Sequence, residues 1–425
     1  MRFVPLLAAG ATLVARSLSA EPYEVPPEEE PSASLSAAQL AGEYFHIDAP
    51  VHSDGLMHHY LVDSRFGIFP AYGRGALAVR LREVTALTSI AKTSDADVAL
   101  QSVGRSLRAN ASAAVDLAKN PVGAVTGIPK GIGHLFGGYR AKAEELSANA
   151  HKSGPSDSQQ PRTSVINRGT EQAQQYAARY LGITAAQMRW YQTLGVDPYT
   201  TNEVLRSAVK HLAKVDATTS LGMRFVPVPG IPYAGEVGRA LHTIYTEDPA
   251  VLRKRRREAL AACGLAVDEI ERFESAALLS PTRQAVLADA ANTLQGVAGR
   301  AELFRHALAV TSDEEIEVFL HSTALLVRFH GQQPVTRIVA GLRLPAGQVA
   351  DGRVFVFGAF DAVYWTEQVA GYERSLEESL PPDAAGRELW LAGSVSERAR
   401  SELQQRGWRV HDRVDEMTVA EAPRP

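Results

Sequence analysis

The chain has 425 residues, 45% of them hydrophobic and 22% charged, which is enough for roughly two or three globular domains without disulfide or metal staples. Its 44 basic and 48 acidic residues give a formal net charge of -4, which excludes the broad cationic footprint of a nucleic-acid binder. The single cysteine, Cys263, rules out an intramolecular disulfide and a cysteine-rich zinc cage.

Residues 1–20 read as a cleavable secretory signal peptide. Arg2 precedes an apolar stretch from Phe3 to Ala15, and Ser17, Ser19 and Ala20 offer small residues at the cut. The alternative is a short membrane anchor, but about 13 apolar residues are few for a hydrocarbon core of about 30 Å. No later segment is apolar enough to span a membrane, so the expected location is periplasmic or secreted. Residues 21–40 follow as an acidic leader. Glu21, Glu24, Glu28, Glu29 and Glu30 stand among Pro22, Pro26, Pro27 and Pro31, a composition expected to stay flexible and extended.

Residues 41–146 open with strand-like alternation over 57–72, where Ser64-Arg65-Phe66-Gly67 supplies the turn of a hairpin. Leu77, Leu81, Val84, Leu87 and Ile90 then recur at helical spacing. A polar stretch over 147–170 reads as a linker, and residues 171–330 read as a helical unit. Within it, capping-box spacings begin at Thr184, Thr200 and Ser312, and Ser280-Pro281 is a further helix start. Gly182, Gly195 and Gly264, each followed by an apolar residue, are read as stops. A loop over 222–235 alternates proline with apolar residues, which suggests packing against the body.

Over 331–418 the pattern changes to strands at 335–344, 353–365, 388–392 and 408–414, with helices at 366–380 and 396–406. The last strand, helix and strand form a βαβ unit, which predicts parallel pairing. Residues 419–425 are a tail. The expected fold class is α+β, predominantly helical: a body of helical hairpins, a short N-terminal β-hairpin and a small C-terminal α/β domain.

Four of the twelve histidines fall between His46 and His59. His46, His52, Asp54, His58 and His59 therefore form a candidate set of metal ligands, with zinc as the ion their donor types suit. The spacing lacks a helical HExxH pair, and His58 and His59 on one strand should face opposite ways. A polar surface hairpin with no cofactor is the favoured expectation. Asp361 and Glu367 flank Tyr364-Trp365 and are the candidate acid and base pair, weighed against ordinary strand-end solvation.

Gly123, Gly127 and Gly131 recur every four residues and could let a partner or membrane surface approach closely, or could simply serve helix packing. Lys254, Arg255, Arg256 and Arg257 are candidates for anionic lipid or glycan contact, although four consecutive residues sweep around a helix. No Gly-x-Ser-x-Gly elbow occurs. The expected function is noncatalytic binding or scaffolding at a bacterial cell envelope, with an envelope protein or glycan as partner and no nucleic acid. The alternative is a metal-dependent hydrolase using the His46 to His59 segment.

Overall fold

The computed structural model describes residues 23–92, 180, 182–214 and 234–415. The signal peptide, the Gly123 to Gly131 run, the 147–170 linker, residues 222–233 of the proline loop and the tail lie outside the described residues. About 51% of the described residues are helical and 18% are strand, so the chain is α+β with helix dominant. No described helix is long and apolar enough to cross a membrane.

The N-terminal sheet holds five short antiparallel strands: β1 (Ala41–Gly42), β2 (Phe45–Ile47), β3 (His52–Ser53), β4 (His58–Ser64) and β5 (Gly67–Tyr72). The expected hairpin is β4 and β5, paired from His59 opposite Tyr72 to Ser64 opposite Gly67. The other edge of β4 carries β2 and β3. Helix α2 (Gly73–Ala91) follows at once, and its stripe of Leu77, Leu81, Val84, Leu87 and Ile90 packs on Tyr60, Val62 and Phe69 of the sheet. Helices α3 (Ala185–Leu194) and α4 (Glu203–Leu212) complete this core with Tyr191, Val204, Leu205 and Val209. A four-residue helix, α1 (Ala37–Leu40), precedes the sheet.

The 21–40 leader departs from its expected flexibility. It runs as a strap: the Glu24 amide donates to the Trp365 carbonyl at 2.8 Å, and Glu29 pairs with Val51 through two backbone bonds of 3.0 and 2.8 Å. Pro31 and Leu35 are buried. Composition understated the order because the acidic groups find fixed donors on the body.

Six further helices follow: α5 (Ala234–Thr246), α6 (Pro249–Ala262), α7 (Val267–Ser275), α8 (Pro281–Thr293), α9 (Ala301–Ala309) and α10 (Asp313–Gln332). Thr184 and Gln187 close the capping box of α3, and Gly195 ends that helix at φ +66°, where a β-carbon would be strained. The box expected at Thr200 does not form. Asn202 caps α4 instead, because the Thr200 hydroxyl is engaged by buried Glu83.

The second sheet has the order β12-β10-β8-β7-β6. Strands β8 (Arg353–Gly358), β10 (Gly386–Leu391) and β12 (Trp408–His411) run parallel, joined through α11 (Glu367–Ser379) and α12 (Glu397–Gln405). Strands β6 (Val335–Ile338) and β7 (Ala346–Val349) are antiparallel, so the strand read over 335–344 is shorter and a second one was missed. The 353–365 run also divides, leaving β9 (Ala362–Val363) to pair with β11 (Ser394–Val395). One sheet face buries Phe355, Phe357 and Trp390 against Phe329 of α10. The other buries Val354, Val356 and Leu389 against α11 and α12. The same cluster continues into Phe273, Phe304 and Phe319, so the helices before residue 330 and the sheet after it share a core.

Candidate functional site

The four N-terminal histidines enter separate pairings. His46 Nε2 lies 3.3 Å from Asp48 Oδ1, and His52 Nδ1 lies 3.5 Å from Glu28 Oε1. His58 Nδ1 meets the Tyr60 hydroxyl at 3.1 Å, and its Nε2 is 3.8 Å from Glu29. His59 Nε2 lies 3.5 Å from Asp54 Oδ2, which also accepts the Tyr72 hydroxyl. Burial acts to raise the Asp54 carboxyl, but His59, Tyr72 and the Met57 amide outweigh it and hold it below the ordinary carboxylate range. His58 and His59 engage different neighbours, as alternation along β4 requires. The set His46, His52, Asp54, His58 and His59 therefore does not converge on one point. One tighter group does arise, from His46, Asp48 and Asp63, whose donor atoms all lie within 4.8 Å of one another. Asp63 had no signal in sequence, because only the β2 to β4 register brings it opposite His46.

Asp361 is buried and serves as a remote helix cap. Its oxygens accept the His58 amide at 3.0 Å and the Arg74 amide at 3.1 Å, and the Arg74 guanidinium approaches at 3.4 Å. The turn into α2 is close at this point. Gly73 sits at φ +84°, and a β-carbon there would meet Met57 Cε at 2.3 Å. Glu367 is exposed in the first turn of α11, where a carboxylate favours the helix dipole, and no hydrogen bond or ion pair joins it to Asp361. Trp365 is core, covered by the Arg406 guanidinium 4.6 Å from its ring centre.

The basic run on α6 is largely neutralised. Arg255 pairs with Glu247 at 2.8 Å, Arg256 with Glu274 at 3.5 Å, and Arg257 with Glu271 and Glu274 at 3.9 and 3.6 Å, while Lys254 is exposed. Cys263 caps the end of α6 half-buried, and burial pushes its thiol up, away from a reactive thiolate.

One further concavity is lined by none of the site residues expected from the sequence. A cavity of about 170 Å³ lies between α2, the segment from Val196 to Thr201, and the first turns of α8 and α10, with Val237 and Leu241 of α5 on its wall. The starts of α4, α8 and α10 all border it. Three positive helix ends explain how Glu83, Asp197, Asp313, Glu314 and Glu317 can gather there. Most of the charge is already tied. Glu83 accepts from Arg80 at 2.7 Å, from the Thr200 hydroxyl and from Asn202 at 3.1 Å. Arg283 binds Asp313 at 2.7 Å and Glu317 at 2.8 Å. Burial alone would lower the Arg283 guanidinium, but those two carboxylates outweigh it and keep it protonated.

Asp197 differs from the other acids. Its Oδ1 accepts both the Tyr199 amide at 2.9 Å and the Thr282 hydroxyl at 2.8 Å, and its Oδ2 accepts no hydrogen bond among the described residues. Burial pushes the carboxyl up to about 6, against the lowering pull of those donors and Arg283. No family model, curated protein or solved structure matches this chain. The sequence marks helix starts near the cavity at Thr200, Ser280 and Ser312, but nothing local brings them to one place.

Proposed function

We propose that the protein is a noncatalytic binding protein of the bacterial cell envelope, taking a small, donor-rich polar ligand into the cavity beside Asp197. The open Oδ2 of Asp197 carries this reading, since it is an acceptor on the wall of a preformed hollow where Glu83, Arg283, Asp313 and Glu317 already have partners. The wall holds Arg80, Arg82 and Arg283 against five carboxylates, a difference of two negative charges when all are ionised. That balance suits an amine or a hydroxyl-rich ligand such as a sugar, with Tyr180 and Tyr199 offering aromatic surface. Envelope placement rests on the signal-like residues 1–20, and scaffolding through Lys254 draws less support because its neighbours pair with acids.

Metal-dependent hydrolysis is the second reading, favoured only by the approach of His46, Asp48 and Asp63. Thermal-shift screening of the full chain against amines, amino acids and small sugars tests the first. A ligand that raises the melting temperature of the wild type, with at least about tenfold weaker binding to Asp197→Ala, supports it. Failure of every class in the panel, or turnover of the bound molecule, overturns it.

A further inference from the structure

The face of the N-terminal sheet that carries His59, Leu61 and Asp63 also carries His46, directly opposite Asp63, and His52, directly opposite His59. Residues directly opposite on antiparallel strands share a face, and alternation keeps every second residue there. Asp48 follows His46 by two positions, and its amide donates to the Leu61 carbonyl at 3.0 Å. The ladder therefore continues past Ile47 and fixes the backbone beneath this carboxylate. His46 and Asp63 thus stand on paired β-strands, and Asp48 sits just past the end of β2 with its backbone tied to β4.

Their spacing suits an ion. His46 Nε2 and Asp48 Oδ1 are 3.3 Å apart, and the donor atoms of His46, Asp48 and Asp63 lie within 4.8 Å of one another. Zinc bonds of about 2.0–2.1 Å to imidazole and carboxylate at a tetrahedral angle place neighbouring donors about 3.3 Å apart. The Asp48 side chain also lines a groove shared with Glu28, His52 and His59.

We infer that His46, Asp48 and Asp63 form a site for a divalent transition ion of the zinc type, with three protein donors and the remaining positions open. A mixed nitrogen and oxygen set of this kind is borderline in softness, which favours zinc or cobalt over calcium. His46 is 61% and Asp48 31% exposed at the side chain, so the ion exchanges readily with solvent. The site is independent of the cavity at Asp197.

The test uses the full chain, stripped with a chelator and titrated with zinc alone by calorimetry. One ion per chain is expected. His46→Ala and Asp63→Asn should each weaken binding by at least about tenfold, since outer-shell changes alone cost about 10–100-fold. His211→Ala, on the exposed side of α4, and Asp197→Asn, in the cavity, should leave it unchanged. Cobalt in place of zinc should give visible ligand-field bands that disappear in His46→Ala, whose fold is checked by circular dichroism. No binding at millimolar zinc, or one undiminished equivalent in both His46→Ala and Asp63→Asn, would overturn the assignment without touching the role proposed for the cavity.

Discussion

Asp361 and Glu367 illustrate how residue type alone leaves a role open. Asp361 accepts two backbone amides and a guanidinium, so Asp361→Ala leaves buried donors without partners and should cost about 3 kcal/mol in urea unfolding. Glu367→Ala, on an exposed first turn, should stay within about 0.5 kcal/mol. Equal losses for the two would contradict the capping role. Asp197 makes the opposite kind of prediction. Its carboxyl is raised from 3.8 to about 6 in the folded chain, so between those values the native state holds a proton that the unfolded state has released. Stability from this group therefore falls as pH rises through that window, and the loss is complete above about 6. Asp197→Asn can keep both hydrogen bonds, because both reach the same oxygen. It should stabilise the protein by roughly 1–3 kcal/mol at pH 7.5 and by nothing at pH 3.5. A pH-independent difference between the two proteins would show that Asp197 is not the titrating group.

At the scale of elements, the leader and the α8 to α10 contact show charged side chains joining parts distant in sequence. Glu24 accepts the Trp365 amide and the Ser396 hydroxyl, the latter at 2.7 Å, and Glu29 accepts the Tyr364 hydroxyl at 2.9 Å. The strap therefore bridges the N-terminal sheet and the turns that start α11 and α12. Limited proteolysis with a glutamate-directed enzyme should spare Glu24 and Glu29 in the wild type. Glu24→Ala should expose the bond after Glu29, as mass spectrometry of early fragments would reveal. Early cleavage after Glu29 in the wild type would mean that the strap opens in solution. Arg283 performs the parallel task between α8 and α10, and its donation to the Leu278 carbonyl at 2.7 Å adds the preceding turn.

Across the whole molecule, one buried cluster passes from Leu260 and Phe273 through Phe319 to Val356, Trp365 and Trp408. No apolar gap separates the helices from the parallel sheet, and α10 covers the far sheet face through Phe329. Three of the four tryptophans, Trp365, Trp390 and Trp408, lie in that C-terminal part, and Trp190 is on α3. Tryptophan fluorescence thus reports mainly the sheet layers, while far-ultraviolet circular dichroism reports mainly the helices. The two should give coincident urea transitions, since a shared core must open together. A fluorescence transition well separated from the dichroism one would show that the sheet unfolds alone.

Features with a local cause were legible in the residues alone. The α2 stripe, the Thr184 box, the Gly195 stop, the β4 and β5 hairpin and the parallel last strands could all be read from periods and caps set by neighbours a few residues apart. Strand β7 was missed because Ala346–Val349 carries two small residues and no alternation, and its place is set by the strands on either side. The order of the acidic leader, the choice of Asn202 over Thr200 as a cap, the capping of α2 by Asp361 and the approach of Asp63 to His46 were decided only by tertiary structure. So was the raised carboxyl of Asp197. Each depends on a partner far along the chain: strand register brings Asp63 to His46, while Glu83, Asp361 and Asp197 act through burial beside distant groups, and desolvation is a property of the assembled fold that no local pattern encodes.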